Sequence, residues 1–143
     1  MGQWTQHADA WLRRKAWNAC AIDRSIPDGA EVVLGFDGSY SGDATAIVAV
    51  ECGEVPHVDV VRLWEPPEGA PAWQVPIVDV EDELRDACKR WRVKAIVADP
   101  FRWARSLQLL ALEGLPVEEY PQSPARMTRR PRSGSPRPCS TRP

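Results

Sequence analysis

Val32-Val33-Leu34-Gly35-Phe36-Asp37 and Lys94-Ala95-Ile96-Val97-Ala98-Asp99 decide the reading of this chain. Each is a short, largely apolar run that closes on an aspartate, and each aspartate is followed by a reversal signal, Gly38-Ser39 in one case and Pro100 in the other. Runs of this length, rich in valine and isoleucine and bounded by turn residues, read as buried strands. If the two strands are neighbours in one sheet, the acids emerge together at one edge. Two bare carboxylates a few ångströms apart repel, and one takes up a proton unless a cation lies between them. Mg²⁺ or Mn²⁺ accepts such hard oxygen ligands, and a paired set of ions can activate water on one side and steady a leaving oxygen on the other. Asp37 and Asp99 are therefore the candidate catalytic and metal-binding residues. The competing reading of each is local, since an aspartate after a strand often serves as a cap or turn former.

Working outward from these runs, Gly38 to Gly42 is a turn and Ala44–Val50 a second strand, which makes a hairpin with the first. Val58–Trp64 is a third strand, closed by Pro66-Pro67. The clearest helix spans about 79–92, where Val80, Leu84, Ala87, Cys88 and Trp91 fall on one face at a 3.6-residue period. A second helix is expected from Pro100 to about Glu113, with Gly114 in the C-cap position, and a last strand from Pro116 to Tyr120. The order β-β-β-α-β-α-β predicts an α/β fold, with antiparallel hairpin strands followed by βαβ units in a mixed sheet flanked by helices. Trp64, Trp91 and Trp103 read as core or interface residues rather than as base-stacking platforms.

Three regions are expected. Residues 1–30 form an N-terminal arm with a helix from about His7 to Cys20, carrying Trp4, Trp11 and Trp17. Residues 31–121 form the body. Residues 122–143 form a basic Pro/Arg/Ser-rich tail without apolar periodicity, expected to be disordered and to be an out-of-frame or read-through end rather than the alternative, a basic nucleic-acid arm. The tail distorts the charge balance. The net charge of −2 combines 18 basic and 20 acidic residues, but six arginines and no acid lie in 126–143, which leaves 12 basic against 20 acidic, or −8, in positions 1–125. An acidic body is a poor general DNA binder and suits a protein that gathers carboxylates around metal ions. Cys20, Cys52, Cys88 and Cys139 are scattered and lack zinc-site spacing with either histidine, so free thiols are expected. No apolar run is long enough to cross a membrane and the N-terminus does not read as a signal peptide, so a cytoplasmic protein is expected.

The run Val33-Leu34-Gly35-Phe36-Asp37-Gly38-Ser39, followed by Asp43-Ala44-Thr45-Ala46-Ile47-Val48, resembles the opening hairpin of the nuclease domain of phage terminase large subunits. Trp64-Glu65, Trp73-Gln74-Val75-Pro76, Val97-Ala98-Asp99-Pro100 and Pro124-Ala125-Arg126-Met127 recur in the order such proteins use, so the resemblance runs from about Trp11 to Arg129. It implies a ribonuclease H-like fold and a divalent-metal-dependent endonuclease that holds two Mg²⁺ or Mn²⁺ ions, with Asp37 as the first metal-binding carboxylate and Asp99 as the second. Asp43 belongs to the hairpin motif and is a secondary candidate, with a turn role the stronger reading. The implied partners are double-stranded phage DNA, the terminase ATPase motor, the small subunit and the portal, in a bacterial host cell.

The sequence departs from that family in two ways. It contains no G-x-x-x-x-G-K-[ST] phosphate loop, and it lacks a third carboxylate on a helix after the last strand. The acids that follow Asp99 are Glu113, Glu118 and Glu119, at a helix end and on a strand. A truncated copy with little or no nuclease activity of its own is therefore expected. One alternative is a non-catalytic structural module that docks on packaging partners. Another is a nucleotide-binding fragment of the actin-like or sugar-kinase type, whose first phosphate loop also spans a hairpin; such folds need a second domain, for which 143 residues leave no room.

Overall fold

A computed structural model of the protein describes residues 18–70 and 72–122. Most of the expected N-terminal helix and the basic tail lie outside the described residues; Asn18 and Ala19 are helical.

The body is a five-stranded sheet in the order β3-β2-β1-β4-β5. Its strands are β1 (Glu31–Asp37), β2 (Thr45–Glu51), β3 (His57–Trp64), β4 (Arg92–Ala98) and β5 (Val117–Glu119), with helices α1 (Ile77–Arg90) and α2 (Ala104–Leu112) in the two crossovers. The hairpin strands pair antiparallel, β1 with β2 and β2 with β3, whereas β1–β4 and β4–β5 are parallel. This is the mixed α/β sheet of a ribonuclease H-like fold, and the element order matches the expectation from sequence.

The strand runs form as they do because alternate residues face the helices. Val32, Leu34 and Phe36 of β1, Ile47 and Ala49 of β2, and Ile96 and Ala98 of β4 join one buried cluster with Val80, Leu84 and Ala87 of α1 and Leu107 and Leu110 of α2. The helical stripe is thus the buried stripe: Val80, Leu84, Ala87 and Trp91 are all buried, and Cys88 is half-buried. Helix α1 has Asp79 in its first turn and Lys89 and Arg90 in its last, which suits the helix dipole at both ends.

Three details depart from the expectation. Helix α1 begins at Ile77, two residues early, because Pro76 occupies the position before the first turn, where a missing N–H costs nothing. Helix α2 begins only at Ala104, because residues 101–103 are spent on a turn that Asp99 stabilises. The core also takes in Ile26, which is 1% exposed and whose N–H donates to Asp59 Oδ2 at 2.9 Å, so part of the segment before β1 packs with the body. Of the tryptophans, Trp64, Trp91 and Trp103 are buried, in agreement with the core reading.

Candidate metal site at the sheet edge

The parallel pairing of β1 and β4 decides where the two aspartates lie. Phe36 stands opposite Ala98 in register, so Asp37 and Asp99 are the next positions on neighbouring strands that run the same way. Adjacent strands are about 5 Å apart, and the acids therefore leave the same edge side by side. Both line one hollow of about 250 Å³, with Gly35, Ala46, Val48 and Val97 on its floor and Tyr120 and Gln122 on its wall. Gly35, Asp37, Ala46, Val48 and Val97 belong to the sheet face turned away from α1 and α2, since they alternate with the buried Leu34, Phe36, Ile47, Ile96 and Ala98.

The turns after the two strands are held together by aromatic packing. Trp103, from the loop after β4, meets the Phe36 ring edge-on at 4.9 Å between centroids and stacks on Tyr40 of the β1–β2 turn at 5.1 Å, with the planes 3° from parallel. One buried indole therefore spans both acid-bearing loops. Gly38 makes this possible: a Cβ there would come within 2.4 Å of Trp103 Nε1 and 2.6 Å of Phe36 Cζ. The turn is pinned again by Thr45, fully buried, whose hydroxyl accepts from Ser39 N–H at 3.0 Å and donates to Ser39 C=O at 2.9 Å. The Val75 N–H donates to Tyr40 C=O, which ties the turn to the loop before α1. No local pattern in the sequence marks Tyr40 or Thr45. Their partners lie across the fold or on the far side of a turn.

Asp99 is both poised and partly engaged. Its Oδ1 accepts the Phe101 N–H at 3.0 Å and its Oδ2 the Gln122 N–H at 3.4 Å, which realises the turn role beside the functional one. Each carboxylate oxygen retains a second lone pair for a cation. Asp37 is exposed. Asp43 accepts the N–H of its neighbour Ala44 at 2.8 Å and does not line the hollow. Glu113 caps α2 and pairs with Arg85 of α1 at 2.7 Å, while Glu118 and Glu119 lie on β5. Among the described residues, no group of three or more His, Cys, Asp or Glu side chains could hold a metal ion. The donor set on offer is thus two carboxylates with room for water, which suits a hard divalent cation held with few protein ligands.

The loop behind Asp99 is unusual in its backbone. Arg102 adopts φ 65°, the left-handed region, which costs a non-glycine residue roughly 1 kcal/mol. Its guanidinium lies over the Phe101 ring, 5.3 Å from the centroid.

Search by structure finds the crystal structure of the HK97 bacteriophage large terminase, with a TM-score of 0.61 over 78% of this chain and 29% of that one, at 18% identity. The chain shares the fold of the matching part of that large terminase. By sequence, the chain is 30% identical over 103 residues to the Gene 13 protein of Mycobacterium phage L5 and to the Gene 13 protein of Mycobacterium phage D29. Each match covers 64% of this chain, which spans only 17% of the length of either relative. No protein-family model matches the chain. Among the described residues, no helix is long and apolar enough to cross a membrane.

Proposed function

We propose that this chain is the metal-dependent endonuclease part of a phage terminase large subunit, with weak activity of its own. The observation that carries the reading is the convergence of Asp37 and Asp99 on one hollow at the C-terminal edge of parallel strands. The likeness to a large terminase supports it at the level of fold.

In this reading, Asp37 and Asp99 hold Mg²⁺ or Mn²⁺, one ion or two, with water completing the shell. The bound cation would supply Lewis-acid stabilisation of the phosphoryl oxygens and a more acidic water as nucleophile. The chain's own part is positional. Asp37 is exposed and can turn towards the ligand. Asp99 is oriented by the Phe101 and Gln122 amides, so that its carboxylate is ordered before an ion arrives. The aromatic clamp of Phe36, Tyr40 and Trp103 keeps the two acid-bearing loops at a fixed separation. Two carboxylates position two ions for in-line attack less well than three, which is why weak activity is proposed. The substrate is double-stranded phage DNA. The ATPase motor, small subunit and portal are the partners proposed for the longer protein.

The test is calorimetric titration of Mn²⁺ into the purified chain, paired with plasmid nicking. Binding that is lost in Asp37→Asn and Asp99→Asn, with slow Mn²⁺-dependent nicking lost in the same variants, is the expected result. A flat Mn²⁺ titration sinks the reading. Among the described residues no third carboxylate joins Asp37 and Asp99, which favours one other possibility, a docking module without catalysis. It would show no metal-induced rise in melting temperature and would co-purify with a packaging protein. An ATP titration should be flat under either reading.

A further inference from the structure

The hollow between Asp37 and Asp99 does not end at Asp99. A second groove, lined by Asp99, Pro100, Phe101, Arg102, Pro121 and Gln122, shares Asp99 and Gln122 with it. The two form one track that passes the carboxylates and continues along Pro100, Phe101 and Arg102. That track carries the side chains an acidic body would need in order to hold nucleic acid. On it Phe101 is 70% exposed and Arg102 is exposed, and Arg105 is exposed just beyond it, in the first turn of α2.

The other cations at the body's surface are mostly consumed. Arg24 pairs with Glu51, Arg85 with Glu113, Lys89 with Asp86, Arg90 with Asp28 and Lys94 with Glu31. No carboxylate among the described residues pairs with Arg102 or Arg105. Both stand close in sequence to Asp99, Arg102 in the loop that follows it and Arg105 in the first turn of α2, and Arg102 holds a backbone conformation that side chains other than glycine rarely adopt. Strain of this kind persists where the surrounding structure imposes it, and it gathers at sites with a function.

We propose that Phe101, Arg102 and Arg105 form the DNA-gripping arm of the site. Arg102 and Arg105 take consecutive phosphates of one strand, Phe101 stacks on an unpaired or frayed base, and the strand is drawn along the groove towards Asp37 and Asp99. An exposed ring beside guanidinium groups is the pairing that single strands use, with stacking for the base and charge for the backbone. The local cations also answer the repulsion that the acidic body would otherwise present. This inference rests on the reading of the carboxylate pair as a phosphodiester-cleaving site, but its test does not depend on cleavage.

The experiment measures anisotropy of a fluorescein-labelled DNA oligonucleotide with a single-stranded end, titrated with the full chain in EDTA between about 50 and 200 mM salt. Arg102→Ala and Arg105→Ala should each weaken binding several-fold and lower the slope of log K against log salt by about one. Phe101→Ala should weaken binding to the single-stranded end more than to blunt duplex. Lys89→Ala, in the last turn of α1 and already ion-paired with Asp86, should leave affinity unchanged.

Arg102→Gly separates gripping from a structural role. It should weaken binding while holding or raising the melting temperature, because glycine adopts the left-handed backbone freely. A fall in melting temperature with affinity intact would mean the residue only supports the loop, and would overturn the proposal. So would wild-type affinity in the Phe101, Arg102 and Arg105 variants alike, an equal loss in Lys89→Ala, or no measurable DNA affinity in the wild-type chain. A chain that binds DNA through these residues but shows a flat Mn²⁺ titration would retain the arm and lose the nuclease.

Discussion

The two faces of the sheet were built from similar residues and put to different uses. On the face under α1 and α2, Val32, Leu34, Ile47, Ala49 and Ile96 are fully buried. On the other face, Val58 is 55% and Val60 67% exposed, and the carboxylates sit at its edge. Stability is therefore concentrated on the first face and the candidate chemistry on the second. Large apolar deletions on the helix-covered face and similar deletions on the open face should give very different results.

The largest difference is expected for Leu34→Ala against Val60→Ala. Leu34 is enclosed between β2, β4 and the helices, so its loss removes buried methylene groups and leaves a cavity, at a cost of about 3–5 kcal/mol. Val60 already meets solvent, and its truncation should stay within about 0.5 kcal/mol. Urea unfolding followed by far-UV circular dichroism measures both. Comparable losses would mean that the open face is covered in solution and that the two faces do not differ.

Next in size is Gly38→Ala, which tests how the two acid-bearing loops are joined. The added methyl group runs into the Trp103 indole and the Phe36 ring, and overpacking against buried rings costs about 1–3 kcal/mol. The smaller ring in Trp103→Phe should recover part of the loss, so the double variant should be less destabilised than the sum of the singles. Strict additivity in the thermal unfolding of the four proteins would show that Gly38 and Trp103 do not meet.

A smaller effect distinguishes the two aspartates. Asp99 accepts two backbone N–H groups, so Asp99→Ala should cost about 0.5–1.5 kcal/mol of stability. Asp37→Ala should cost nothing measurable, or should stabilise slightly by relieving carboxylate repulsion. The same pair should lose Mn²⁺ binding alike. Equal stability of the two variants would mean that the hydrogen bonds to Asp99 are worth nothing in solution.

How much of this the sequence discloses follows from the periodicities involved. The convergence of Asp37 and Asp99 is legible because both close apolar runs of similar length, and a right-ordered β-hairpin and βαβ unit bring such runs together in parallel. Which face is covered is not legible, since Val33, Val48, Val60 and Val97 are as apolar as the residues they alternate with. Strands in parallel sheets read as continuous apolar runs for this reason. Helix α1 declares itself through a stripe that proves to be its buried face, whereas the start of α2 is obscured because Asp99 and Pro100 give the chain a turn before the helix can form. The Trp103 clamp escapes detection altogether. Its partners Phe36 and Tyr40 are more than sixty residues away, and only the closed sheet brings them near.

The smallest expected effect lies on the helix-bearing side, at the Arg85–Glu113 pair that joins α1 to α2. The hydrogen bonds from Arg85 hold the Glu113 carboxyl below the ordinary carboxylate range, and the same contact, with help from Asp82, raises the Arg85 guanidinium. A carboxylate whose folded pKa is depressed adds stability that is present above its unfolded pKa and is lost as pH falls through the folded value. The melting temperature of the wild type should therefore exceed that of Glu113→Gln near neutrality, and the gap should close below about pH 4. Both side chains are solvent-accessible, so the gap should be slight and should also narrow at high salt. A gap that persists unchanged at pH 3 would assign the effect of the substitution to the C-cap of α2 rather than to charge.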